Sequence, residues 1–146
     1  MSKIKFRVWD KEFKKMVLPL MAMGSQVETI AVDLRGQVLL LQEDRVNDSA
    51  KIRQFLDSEI EVMQYTGVHD KTGKEIYEGD IIKHKTVFMA VEYLPKAASY
   101  VVSYHNIWKK LAHVPSLFYK KLTWGAERGE VIGNIYENPE LLTEQK

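Results

Sequence analysis

The stretch Tyr65 to Lys85, YTGVHDKTGKEIYEGDIIKHK, decides how the rest of the chain is read. It packs Gly67, Gly73 and Gly79 among Asp and Thr turn formers, and the apolar pair Ile81–Ile82 follows the last turn. HDKTGKE is turn chemistry, with Gly73 free to take positive φ. EGD around Gly79 makes a second tight corner, and the apolar pair Ile81–Ile82 follows it. Two corners this close demand short strands. Ile81 and Ile82, adjacent in a strand, then point to opposite faces of a sheet.

The same texture continues on both sides of this stretch. IEVMQYTG before the stretch reads as a strand, and TVFMAVEYL, ended by Pro95, as another. SYVVSYH follows, and GEVIGNIYENPELL supplies a last strand and a terminal turn, since Asn138-Pro139 favours turn or helix initiation. Gly133 inside VIGNIY marks a bulge or a close backbone approach. Short strands with closely spaced turns point to a small barrel or sandwich. Upstream, Ile4, Phe6 and Val8 alternate with Lys3, Lys5 and Arg7, which is the period of a half-buried strand. DKEFKK reverses the chain and Met16–Val17 returns it. LPLMAMGSQ shows no period and reads as a loop. Residues 28–42 read as a hairpin turning at RGQ. Residues 43–59 are polar and mixed in charge. They read as a linker, or as a short helix capped by Asp48 or Ser49 with Ile52, Phe55 and Leu56 as its stripe.

Bulk composition narrows the function classes. The chain has 146 residues, 45% apolar and 28% charged, which suits one domain or two small ones and a packed core. It contains no cysteine, so disulfides and thiolate metal sites are excluded and a reducing cytoplasm is compatible. The charged N-terminus MSKIKFRVWDKEFKK is no secretory signal, and no apolar run approaches the roughly 20 residues of a membrane helix. The net charge of +1 does not by itself announce a nucleic-acid binder.

Three segments together resemble the YopX family of phage and prophage proteins: KFRVWDKEFKKM, VMQYTGVHDKTGKEIYEGDIIK and EVIGNIYENPELL. They occur in order and span nearly the whole chain. Residues 18–59 and 85–125 carry no matching pattern. The resemblance implies a mainly β protein with an SH3-like barrel in its C-terminal part, a bacterial or phage cytoplasmic setting, and self-assembly. It implies no reaction. The expected architecture is therefore an N-terminal β segment, residues 1–59, with a polar linker or one or two short helices. An SH3-like barrel part follows over residues 60–146.

Glu75, Glu78 and Asp80 could form a paired-carboxylate site, but around Gly79 they read better as turn residues. His69, His84, His105 and His113 lack metal-ligand spacing, and no phosphate loop or cofactor motif is present, so no catalytic, metal or cofactor residue is assigned. Charge distribution says more. From Leu94 to Ala126 there is no Asp or Glu, while lysines alternate with aromatics. Lys109, Lys110, Lys120 and Lys121 beside Trp108 and Trp124 suit a nucleic-acid surface, with cations for phosphates and flat rings for bases. The same aromatics also suit a core or a subunit interface. The apolar strands VFMAVEYL and SYVVSYH, if at an edge, need covering by a second copy. HNIWKKLAHVPSLFYKKL could form a short amphipathic helix that Pro115 stops. The expectation is a non-enzymatic accessory protein of the bacterial host cytoplasm, without a membrane, that forms a homo-oligomer and binds a macromolecule, nucleic acid first. The alternative is a structural or interaction module acting on a host or phage protein.

Overall fold

The computed structural model describes residues 5–17, 20–23, 26–32, 35, 37–44, 46–55, 58–104 and 119–143. Among these residues the protein is mainly β, with three antiparallel sheets, one of them a half-barrel, and two short α-helices. The chain divides into two compact units, Lys5–Gln64 and Tyr65–Lys146.

In the N-terminal unit, β1 (Phe6–Asp10) pairs antiparallel with β2 (Lys15–Val17) and with residues 60–64 of β7 (Ile60–His69). A second sheet runs β3 (Leu20–Met23), β4 (Gln26–Val32), β5 (Val38–Asp44), β6 (Ser49–Gln54) in order. Val8, Val17, Val38, Leu40, Phe55 and Ile60 bury against one another to form this unit's core. Asp10 is buried too, because its carboxylate accepts the N–H groups of Glu12 and Phe13 at 3.0 and 2.9 Å and closes the reversal predicted at DKEFKK.

Two expectations fail here. LPLMAMGSQ is not all loop: Leu20–Met23 is a strand in register with β4, from Leu20 opposite Thr29 to Met23 opposite Gln26. Its apolar residues run together, so no period betrays it. Residues 49–54 are neither linker nor helix. They form β6, paired with β5 from Asp44 opposite Ser49 to Leu39 opposite Gln54. Asp48, read as a helix cap, instead takes φ +45° in the turn. Ile52 stands 68% exposed while Phe55 is 3% exposed, so the two share no buried stripe. Pairing with β5 satisfies a whole row of backbone groups, which outweighs weak local helix propensity. Leu56 lies outside the described residues.

In the C-terminal unit, residues 65–69 of β7 pair with β8 (Glu75–Tyr77). A five-stranded sheet then orders β12 (Tyr119–Lys121), β11 (Ser99–Ser103), β10 (Val87–Leu94), β9 (Asp80–His84) and β13 (Glu130–Asn134). Both faces of its middle are buried. Ile82, Met89, Val91 and Val102 join one core cluster with Leu122 and Ala126 of α1 (Leu122–Arg128). Ile81 and Ala90 join another with Leu142 of α2 (Glu140–Thr143). Ile81 and Ile82 thus face opposite ways. The register shifts between Val131 and Gly133, and a Cβ on Gly133 would overlap the Asn138 side chain, so the glycine marks both a bulge and a close approach. VFMAVEYL and SYVVSYH are not edge strands: β10 is central, and β11 is covered by β12 within the chain. The amphipathic helix foreseen over residues 105–122 falls largely on residues outside the described set.

The opening stretch is built around one carboxylate. Asp70, 6% exposed, accepts from the Thr72 N–H at 2.8 Å, the Thr72 hydroxyl at 2.6 Å and the Lys74 N–H at 3.0 Å through Oδ1. Its Oδ2 accepts from the Val131 N–H at 2.8 Å. Lys71 pairs with Glu130 at 2.8 Å across the same junction. The turn from β7 to β8 is thereby bolted to the start of β13. Gly73 closes it at φ +89°. At the next corner Gly79 takes φ +78°, donates its N–H to the Val91 carbonyl at 2.8 Å and accepts from the Ile135 N–H at 2.9 Å.

Candidate nucleic-acid interface

Strand β12 is short because the chain turns directly into α1. Gly125 weakens a helix intrinsically, yet it is required here: a Cβ would lie 2.9 Å from the Val102 side chain. That close approach seats Leu122, Gly125 and Ala126 on β11 and leaves Trp124 half-buried, packed against the same core cluster. The indole is flanked on two sides. The Arg128 guanidinium lies 5.4 Å over its ring, one helical turn on. The His84 ring, at the end of β9, meets it edge-on at 5.5 Å. His84 Nδ1 is 3.1 Å from the Arg128 carbonyl, and a carbonyl can only accept, so that nitrogen carries the hydrogen. Arg128 also donates to the Trp124 carbonyl and to Glu127.

Lys120 and Lys121 are exposed immediately before this helix, opposite Val102 and Val101. Being adjacent in a strand, they leave on opposite sides. Lys83 lies 5.6 Å over the Phe88 ring, and Lys85 is exposed in the left-handed turn after β9. Of the residues singled out in the sequence, the structure therefore joins Lys120, Lys121 and Trp124 on one β12–α1 element. Trp108, Lys109 and Lys110 lie outside the described residues, as do His105 and His113. Arg128 was not singled out, because α1 itself was not foreseen, and His84 was considered only as a metal ligand; the packing of α1 beside the end of β9 brings its ring to Trp124.

The carboxylates near Gly79 serve the corner. Asp80, 1% exposed, accepts from the Tyr77 N–H at 2.8 Å, and Glu75 accepts from the Tyr77 hydroxyl at 2.9 Å. Burial, then the charge of Glu92, pushes Glu78 up from the usual carboxylate value, against an opposing hydrogen bond from the Tyr93 N–H. At Asp70 burial also pushes upward, but the Thr72 hydroxyl and the N–H groups of Val131, Lys74 and Thr72 win, and its pKa falls to about 2. His69 is exposed, its ring 3.3 Å from the Tyr65 hydroxyl. Among the described residues no three His, Asp or Glu side chains gather as a metal set. Nor, among them, is any helix long and apolar enough to cross a membrane.

A family model for the YopX protein matches residues 5–143. The chain belongs to the YopX family. Among solved structures it is similar to protein EF1440 from Enterococcus faecalis, with a TM-score of 0.51 and 22% identity, over 97% of this chain and 99% of that one. At that identity the likeness concerns the fold alone. No curated protein matched the sequence.

Proposed function

We propose that this YopX-family chain is a non-enzymatic phage or prophage accessory protein of the bacterial cytoplasm that self-assembles and binds single-stranded nucleic acid. The observation that carries the binding is the Trp124 ring flanked by Arg128 and His84, with Lys120 and Lys121 exposed just ahead of it. Stacking on an aromatic together with nearby cations is the chemistry that holds unpaired bases and their phosphates without reading sequence. The bulged, five-stranded sheet supports taking the C-terminal part as an SH3-like barrel, a platform of the size that such ligands use. The ties of Glu75 and Asp80 to Tyr77 support a structural rather than acid–base role for that corner.

Anisotropy titration with labelled single-stranded and duplex DNA and RNA at two salt concentrations tests this. The reading expects salt-sensitive binding, tighter for single strands, that weakens at least about tenfold in Lys120→Glu/Lys121→Glu. No binding at low salt refutes it. A second reading, a module for a host or phage protein, is favoured by exposed apolar side chains in the N-terminal unit: Val46 at 75% and Ile52 at 68%.

A further inference from the structure

In the N-terminal unit, strand β6 ends the order β3-β4-β5-β6, so it is an edge, flanked only by β5. Phe55 donates its N–H to the Val38 carbonyl at 3.0 Å, and the register continues with Gln54 opposite Leu39. Along an antiparallel ladder the direction of hydrogen bonding alternates residue by residue. Arg53, Lys51 and Ser49 therefore bond to β5, as Phe55 does. Gln54, Ile52 and Ala50 turn their N–H and C=O groups outward. All three are exposed, Ile52 at 68%.

The side chains of this edge sort by face. Ile52 lies opposite Leu41 and Gln54 opposite Leu39, and both leucines are half-buried, so one face offers an apolar shelf. Glu43, opposite Ala50, turns acids away from that face. Lys51 and Arg53 lie on the other face, opposite Gln42 and Leu40. The Arg53 guanidinium is held in place, 4.8 Å over the Phe55 ring and 5.9 Å over the Phe13 ring, and it pairs with Glu12 and Glu59. Lys51 is exposed and holds no ion pair among the described residues, so its charge is the one that an incoming acid meets first.

An open edge with an exposed apolar residue at its middle is a template for another strand. A second copy of β6 is a poor occupant. In a two-fold antiparallel pair, residues directly opposite share a face of the sheet. Centring the pair on Lys51, Ile52 or Arg53 sets Lys51 against Lys51, Lys51 against Arg53, or Arg53 against Arg53. Like charges directly opposite destabilise such a pair. The same two cations favour a strand of opposite charge. We propose that the β6 edge binds an extended acidic segment of a partner protein by strand addition, the segment alternating acids with apolar residues. Its backbone pairs with Ala50, Ile52 and Gln54. Its acids face Lys51 and Arg53, and its apolar side chains extend the shelf of Ile52, Leu41 and Leu39. This site goes beyond the nucleic-acid interface, which the C-terminal unit carries, and does not depend on it.

The test is an NMR titration of the full chain with two short, capped synthetic peptides, one alternating Glu with Val and the other Lys with Val. The acidic peptide is expected to move the amide protons of Ala50, Ile52 and Gln54 downfield as they gain acceptors. Those of Lys51 and Arg53, already bonded to β5, should move much less. The lysine peptide is expected to bind at least about tenfold more weakly, and Lys51→Glu to reverse that preference. Ile52→Pro removes an outward N–H that the free fold does not use, a change that an edge strand tolerates, and is expected to abolish binding. Circular dichroism checks its folding, and Lys51→Glu carries the test should the proline variant lose native signal. No shift along β6 at about 1 mM acidic peptide overturns the inference and leaves Lys51 as a guard against self-pairing. Equal binding of the two peptides overturns it as well, as does acidic-peptide binding that Lys51→Glu leaves unchanged. None of these results bears on nucleic-acid binding, which the anisotropy titration reads.

Discussion

Replacing Asp70 by Asn or Ala tests whether one carboxylate holds the C-terminal unit together. Asn keeps an oxygen for the turn, where Oδ1 accepts from Thr72 and Lys74. It places an amide NH2 where Oδ2 accepts the buried Val131 N–H at 2.8 Å. Two donors then face each other and the Val131 N–H loses its partner, which costs about 1.5–3 kcal/mol. Ala also strips the turn of its acceptor, and the loss rises to about 3–4 kcal/mol. The pH dependence follows from the depressed pKa of about 2 against the ordinary 3.8. Because the folded value lies below the unfolded one, the contribution is whole above about pH 4 and disappears as pH falls towards 2. A shift of this size amounts to at most about 2.5 kcal/mol, and solvent screening at the rim of the turn reduces it to about 1–2 kcal/mol. Urea unfolding at pH 7 and pH 3 reads both effects. Asp70→Asn should lower stability at pH 7 and lose less than wild type between the two pH values. A variant within about 0.5 kcal/mol of wild type at pH 7, with an unchanged slope below pH 4, would refute the clamp.

Four further outcomes follow from the same packing. Gly79→Ala forces a Cβ into φ +78° at the corner, and thermal unfolding should show a loss of about 1–2 kcal/mol. Gly129→Ala drives a Cβ to 2.9 Å from the Lys83 carbonyl, a backbone atom that yields poorly, so a loss of about 1–3 kcal/mol is expected in urea melts. Asp10→Ala leaves the Glu12 and Phe13 N–H groups unmet and should cost about 1–2 kcal/mol; hydrogen exchange should quicken at those two amides. Glu78→Gln works the other way: the folded carboxyl titrates above its unfolded value, so wild type loses stability as pH rises through that range. The glutamine variant should lack that loss and match or exceed wild type in melting temperature at pH 7.

Much of the fold was legible because the C-terminal unit obeys local rules. Gly73 and Gly79 sit where only positive φ closes the corners, and the Ile81–Ile82 pair splits between two cores as a strand requires. What escaped was non-local. Ser49–Gln54 looks helical by its caps and is a strand only because β5 offers it a partner. Helix α1 hides behind Gly125, a residue chosen for its approach to Val102 and not for helix propensity. The site was half legible: an acid-free, aromatic stretch pointed at Lys120, Lys121 and Trp124. Arg128 joins Trp124 one turn along a helix that was not foreseen, and His84 joins it through tertiary packing, which no spacing in the chain records. Asp70 was visible as a turn former, since Asp-Lys-Thr-Gly favours a side-chain-capped turn, but its bond to Val131 spans distant segments.

The most direct test of the proposed role is hydrogen exchange with and without saturating single-stranded DNA. The account predicts slowed exchange concentrated in residues 119–128 and 83–85, abolished by Lys120→Glu/Lys121→Glu. Exchange unchanged in those segments, or slowed only elsewhere on the chain, would contradict it.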